Sequence, residues 1–254
     1  TLFKSSFPMS NGINSSLNNT LGSYAYASVQ MSAPTFGTTT DIAAYTSTQI
    51  AALTVSQVSN LTSTQATAIT TSAMAGLSAK QLQGLNNSNL AVLTTSQIAA
   101  FSPDQLNSLR ATQVNALTSS QVNALTSSQL TGMRASQVSA FNSQRTGSIS
   151  TGVLQNLTTS QIQALTTNQI IGLIDTQLAA LGTNQIAGMK ATQIKAIETR
   201  DLAGLTSAQM VALSATQLAA FSNNQLNALS TTQVAAIETA DLAQLTTAQV
   251  QALS

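Results

Sequence analysis

The sequence contains no cysteine, no histidine and no tryptophan, and only 6% of its 254 residues are charged. Without cysteine and histidine, zinc and iron–sulfur sites, thiol or imidazole catalysis and disulfide frameworks are excluded. A net charge of +1 supplies no electrostatic field to hold a nucleic acid. No apolar run reaches the roughly 20 residues that a membrane helix needs. The hydrophobic content of 43% nevertheless predicts an ordered chain. From the low net charge and the short apolar runs we expect no nucleic-acid partner and no membrane span.

An eight-residue repeat runs from Asp41 to Val250 without a slip of register, which makes 27 consecutive octads. The consensus is L-[ST]-x-x-Q-[VIL]-x-[AG], and 20 octads have Gln in what we call the glutamine column. The first apolar column follows it directly, the small column stands three positions after it, and the second apolar column four positions after it. The repeat predicts two regions: residues 1–40 as an N-terminal cap or attachment segment, and residues 41–254 as a solenoid.

The start of each octad has the pattern of a helix N-terminus. The residue three positions before the glutamine column is Ser or Thr in 18 of the 27 octads. Ser or Thr followed three residues later by Gln is a capping box, in which each side chain bonds the other residue's backbone N–H. Residues 102–105, Ser-Pro-Asp-Gln, agree with this register because Pro is favoured at the first helical position. Each octad is therefore predicted to begin a helix.

A single continuous helix cannot carry this repeat. Eight residues turn an α-helix by about 800°, which is about 80° more than two full turns, so the apolar columns would wind around its circumference. We therefore expect an all-α solenoid of capped helices about six residues long, each stabilised by stacking on its neighbours. The alternative is a β-solenoid with stacked Gln amides. In the N-terminal segment, Tyr24, Tyr26, Val29 and Met31 suggest one or two short strands.

A longer similarity recurs after five octads, where residues 197–203 resemble residues 237–243. Five octads are either the length of a duplication or one turn of the superhelix. The array is still in phase at Leu253, although the ends of solenoids normally become polar. We expect either that a longer natural protein continues it or that a neighbouring subunit covers this end.

The few charged residues offer little chemistry. Glu198 and Asp201 could form a carboxylate pair for acid–base work or cation binding, but the pattern favours helix capping on a solvated face. Arg145, in the glutamine column, is interpreted as a local irregularity. We predict no catalytic, cofactor-binding or metal-binding residues and no enzyme activity. N-x-[ST] sequons, several of which are expected by chance in such a composition, occur at Asn14, Asn18, Asn60, Asn86 and Asn156. If the small column faces inward, Asn60 and Asn156 cannot be glycosylated.

Two resemblances extend this interpretation. Residues 117–122, Leu-Thr-Ser-Ser-Gln-Val, resemble the helix starts of TAL-effector repeats and calmodulin-type proteins, which implies only that a helix begins there. Residues 41–254 as a whole resemble the Ser/Thr/Gln-rich octapeptide tracts of very large secreted bacterial surface proteins, often called adhesin-like. That resemblance implies an extracellular stalk, fibre or coat.

The leading hypothesis is therefore a structural extracellular or cell-surface protein that self-associates as a rod, surface layer or filament subunit, with an adhesive role included. Its weakly charged Ser/Thr/Asn/Gln surface suits lateral packing, because little charge keeps copies apart. A glycan- or polymer-binding module is the first alternative, since helical solenoids present long concave surfaces. Ice binding is a weaker one, suggested by the regularly spaced Thr46, Thr54, Thr62 and Thr70.

Overall fold

The computed structural model describes residues 38–253, in which every octad forms its own short helix. Helices of four to six residues follow one another, and no strand occurs in this part of the chain. The predicted all-α solenoid of short helices is confirmed, and the β-solenoid alternative is wrong. The short strands predicted around Tyr24 and residues 1–37 of the predicted cap segment lie outside the described residues, whereas residues 38–40 of that segment belong to the start of the first helix, Thr39–Ala43.

The helix bounds repeat with the octads. The α-helices are Thr39–Ala43, Ser47–Ala51, Val55–Ser59, Ser63–Ala68, Thr71–Met74, Ala79–Gly84, Asn87–Val92, Thr95–Ala99, Pro103–Ser108, Ala111–Ala116, Ser119–Asn123, Ser127–Gly132, Ala135–Val138, Thr151–Asn156, Thr159–Ala164, Thr167–Ile171, Asp175–Ala180, Thr183–Gly188, Ala191–Ala196, Ser207–Val211, Ala215–Ala219, Asn223–Asn227, Thr231–Ala235, Thr239–Leu242 and Thr247–Gln251. Two octads form 3-10 helices instead, Ser143–Ser148 and Thr199–Gly204.

The capping box sets where each helix begins. In a representative octad, Gln121 N donates to Thr118 Oγ1 at 3.2 Å, and Thr118 N donates to Gln121 Oε1 at 2.8 Å. The two extended residues before the helix, Leu117 and Thr118, have φ/ψ of −61°/135° and −73°/160° and turn the chain between octads. Where the hydroxyl is missing, the Gln half of the box persists, as between Arg110 N and Gln113 Oε1 at 3.0 Å.

The helices are stacked into a solenoid whose neighbours lie three octads apart in sequence. Val55–Ser59, for example, packs against Ala79–Gly84, and the same spacing recurs along the array. Side-chain hydrogen bonds reach further back, as from Gln81 to Ile50 and Leu53. One full turn, which we call a coil, therefore takes between three and four octads. The five-octad similarity is longer than a coil and is not a turn of the superhelix.

Three columns of each octad form the interior. In one octad the exposed fractions of Gln97, Ile98 and Phe101 are 3%, 0% and 3%. The small column does not face inward: most of its members are half-buried at the surface, between successive coils. Asn60 is exposed, so the steric objection to a glycan there does not hold. Close approach explains the small residues, because a Cβ on Gly204 would overlap the backbone carbonyl of Asp175.

Candidate functional site

The glutamine side chain bonds to two coils at once. Gln121 is 2% exposed, and its Oε1 accepts from the cap residue Thr118 of its own octad. Its Nε2 donates to Leu90 O at 2.8 Å and to Leu93 O at 2.7 Å in the preceding coil. These carbonyls lie at a helix C-terminus, where Leu93 O has no intrahelical partner. One buried amide thus satisfies a helix start in one coil and a helix end in the coil before.

The same bonds recur throughout the array. Every glutamine of the column from Gln81 to Gln249 donates through Nε2 to the backbone carbonyl 28 residues earlier, at 2.6–3.0 Å. We call this row of side chains, which are buried from Gln81 to Gln233 and half-buried at Gln249, the amide spine. Sequence reasoning found only its capping half. The one sequence signal for the other half was the choice of Gln, since Glu completes a capping box equally well but has no amide N–H.

Two substituted positions keep the bond to the preceding coil. Asn89 Nδ2 donates to Leu61 O at 2.6 Å, and Arg145 Nη1 donates to Leu117 O at 3.1 Å. Each acceptor is the backbone carbonyl 28 residues before its donor, which is the separation found for the Gln side chains. Arg145, which the sequence suggested was a local irregularity, therefore replaces the amide donor with a guanidinium donor, although its octad forms a 3-10 helix.

The octad of Asp201 lacks the donor. The carboxyl of Asp201 is buried, its residue being 6% exposed, and its Oδ2 has no hydrogen-bond partner. Arg200 forms ion pairs with Glu198 and with Asp201, the latter at 3.4 Å between Nε and Oδ2, within ion-pair range but without hydrogen-bond geometry. Arg200 thus lies against both carboxylates of the candidate pair. Glu198 makes no side-chain cap bond, so the capping predicted for it is wrong. No group of three or more potential metal ligands occurs in residues 38–253.

Two open notches lie on the lateral surface beside the 3-10 helices Ser143–Ser148 and Thr199–Gly204. Their volumes are about 700 and 600 Å³. Most residues lining the first notch correspond to residues seven octads later that line the second. Polar side chains line the first notch, including Asn115, Gln144 and Asn168. The second notch is lined by charged side chains and by an amide, including Lys195, Glu198, Arg200 and Asn224. These four residues stand seven octads after residues that line the first notch.

Stacked short helices joined by a repeated buried bond define the chain as a helical repeat protein. A family model described as the ALTTAQ repeat matches residues 98–134, 194–231 and 234–254, stretches that together make up less than half of the chain. These tandem matches independently support the assignment as a repeat protein. A search of the curated proteins found no match to the chain. Within the described residues, no helix has the length and apolar character needed to cross a membrane.

Proposed function

We propose that this chain is a structural, non-enzymatic repeat protein that self-associates outside the cell as a rod, a surface layer or a filament subunit. This proposal rests on the amide spine. Its polar side chains are engaged in holding coil to coil, from Gln81 to Gln249, so the array is built as a continuous stack. Such a network rigidifies a core when its members are satisfied. A rigid stack whose length scales with repeat number suits a spacer or a fibre.

The lateral surface supports self-association. The cap and small columns carry mainly Ser, Thr, Asn, Ala and Gly, and the chain has only 15 charged residues. Large apolar side chains are exposed singly on this surface, including Val92, Ile171 and Val211 at 43%, 41% and 48%. A surface with few charges and net charge near zero promotes association. The resemblance to octapeptide tracts of secreted bacterial surface proteins supports the extracellular location and an adhesive role.

Electron microscopy and sedimentation velocity of the purified chain test this proposal. We expect elongated particles whose length or number of laterally joined copies grows with protein concentration. Compact particles of constant size across the whole concentration range would contradict it. Detection of the protein on intact cells by surface biotinylation tests the location separately.

A glycan- or polymer-binding module is the second candidate, favoured by the pair of lateral notches. Equivalent notches seven octads apart could hold two points of one polymer, and their hydroxyl, amide and charged groups suit a polar ligand. A glycan array would test it. Asn115→Ala and Asn168→Ala in the first notch should then remove a signal that the wild type gives. Asn227→Ala, an exposed control outside both notches, should leave that signal unchanged.

Ice binding has less support. The hydroxyls of Thr46 and Thr54 already hydrogen-bond the Gln side chain and backbone N–H of their own octads, at 3.0–3.3 Å. A thermal hysteresis measurement on the intact chain tests this alternative, and we expect no hysteresis.

A further inference from the structure

Five exposed basic side chains form a line along one side of the solenoid. We call them the basic stripe: Lys80, Arg110, Arg134, Lys190 and Lys195. Arg110 Nη2 donates to Gln83 O at 2.6 Å, in the helix that also carries Lys80. Arg134 Nη2 in turn donates to Leu109 O at 3.4 Å, next to Arg110. The first three members are therefore neighbours across successive coils.

The coil spacing places the other two members on the same side. Side-chain hydrogen bonds between coils join residues 25–31 positions apart, so residues about 28 positions apart lie one above the other. Lys190 stands two such steps after Arg134, and Lys195 lies in the helix that Lys190 caps, Ala191–Ala196. From residue 80 to residue 195 the stripe runs along about four coils. At about 8–10 Å per layer of helices, its length is roughly 30–40 Å.

The cations of the stripe have no carboxylate partners. Within residues 38–253, the ion pairs are those of Arg200 with Glu198 and Asp201. Asp104 and Glu198 border the stripe, but Asp104 forms no ion pair with it and Glu198 is engaged by Arg200. On a chain whose net charge is only +1, the stripe is therefore a local region of positive potential, which attracts an anionic ligand.

Groups that suit a sugar lie beside the stripe. Lys195 itself lines the second notch, and Ala111, which follows Arg110, lines the first. Both notches carry amides and hydroxyls, among them Asn115 in the first and Ser222 in the second. A polymer that follows the stripe would meet cations at its acidic groups and polar partners at its hydroxyls.

We propose that the basic stripe binds an acidic polysaccharide that runs along the solenoid, with its carboxylates opposite the cations and its hydroxyls at the notches. The stripe offers about one cation per coil, roughly 8–10 Å apart. A nucleic-acid strand carries a phosphate about every 3.4 Å, so a more sparsely charged polyuronate fits the stripe better. The proposal rests on the polymer-binding function given above as the second candidate, and it names the class of polymer.

Binding of the full chain to polygalacturonate, measured by isothermal titration calorimetry at two salt concentrations, tests this proposal. Dextran is the uncharged comparison, and single-stranded DNA is the nucleic-acid comparison. The triple variant Lys80→Gln, Arg134→Gln and Lys190→Gln removes three cations, none of which lines a notch. Its affinity for polygalacturonate should fall at least about tenfold, because three surface ion pairs are lost. Wild-type binding should weaken as salt rises, because salt screens exposed charges.

A control variant of equal net charge separates the stripe from the overall charge. Ser96→Glu, Thr151→Glu and Ser207→Glu add three carboxylates at exposed positions about half a coil away from the stripe. Both triple variants therefore change the net charge from +1 to −2. The control should bind polygalacturonate like the wild type. Circular dichroism should show both variants folded, since the new carboxylates lie in the first turns of helices, where negative charge is favourable.

The outcomes separate this proposal from the functions proposed above. If both triple variants lose affinity equally, net charge rather than the stripe governs binding and the proposal is refuted. Tighter binding to single-stranded DNA than to polygalacturonate also overturns it. A wild type that binds dextran as well as polygalacturonate keeps the polymer-binding function but refutes the stripe. One that binds none of the three polymers overturns the proposal and counts against polymer binding, whereas the structural role is still decided by sedimentation velocity.

Discussion

Octads Thr118–Leu125 and Glu198–Leu205 have different residues in their glutamine column, Gln121 in one and Asp201 in the other. Both bury their apolar columns, to 6% exposure or less. The first forms an α-helix bonded to the coil before it, whereas the second forms a 3-10 helix without that amide bond. The comparison teaches that apolar burial alone can place an octad in the stack. The amide adds the bond between coils, whereas α-helical geometry does not depend on it, since Thr151–Asn156 is an α-helix with Val153 in the glutamine column.

The largest effect is expected when a buried carboxylate is introduced into the amide-bonded octad. Gln121→Glu keeps the capping oxygen but turns a charge toward the carbonyls of Leu90 and Leu93, so unfolding free energy should fall by about 3–5 kcal/mol. Urea denaturation at pH 7 measures it. Gln249→Glu, at a half-buried position, is the control and should lose clearly less. If both variants lost little stability and by the same amount, the prediction would be wrong, because the glutamine column would then tolerate a buried carboxylate.

Removing either the amide or the neighbouring apolar side chain should have a comparable cost. Leu125→Ala should lose about 2–5 kcal/mol through the cavity it leaves. From the capping box alone, Gln121→Ala would lose only about 1 kcal/mol. Because the substitution also leaves buried carbonyls unpaired, with each unsatisfied group costing about 1–3 kcal/mol, the loss should instead approach that of Leu125→Ala.

Hydrogen exchange on the same two variants locates the damage. Faster exchange should spread to octads three and four positions away, because those share the coil interface. Damage confined to the two adjacent octads would contradict the coil spacing.

Gly204, in the octad of Asp201, allows the close approach of the small column to the preceding coil to be tested. Gly204→Ala would place a methyl group against the backbone of Asp175, so we expect a loss of about 1–3 kcal/mol. Gly152→Ala is the control within another helix, where only Ser150 Oγ lies within 4.0 Å of the added Cβ. That change should stabilise by about 0.4–1 kcal/mol, because it restricts the unfolded chain. Thermal unfolding should show shifts of opposite sign, and shifts of the same sign would contradict the close approach.

The smallest expected change restores the missing amide. Asp201→Gln should gain about 1 kcal/mol, since the new Nε2 can donate to the carbonyl of Leu173, the equivalent acceptor in the preceding coil. Urea denaturation measures the gain. Amide hydrogen exchange should also show increased protection in Thr199–Gly204. A loss of stability would indicate that the ion pairs of Arg200 outweigh the amide bond.

The local features of the fold could be predicted because they depend on neighbouring residues. Thr118 and Gln121 are three positions apart, and their capping bonds form within one octad, so the pattern alone predicts a helix start. The composition also predicts that no catalytic set is present, and the lack of enzyme activity stays a prediction. The lateral notches were not predictable, because each is lined by segments from separate octads.

The sequence by itself determined the octad, the start of each helix and the residue types of the apolar columns, and it favoured the all-α class over a β-solenoid. Only the tertiary structure decided that Gln121 is buried, that its amide reaches Leu90 and Leu93, and that the small column lies between coils at the surface. The physical reason is that an eight-residue pattern is the same whether a coil contains three octads or five. Contacts between octads of successive coils depend on the angle by which the chain turns between octads and on the packing between coils. Neither can be read from the period of the repeat.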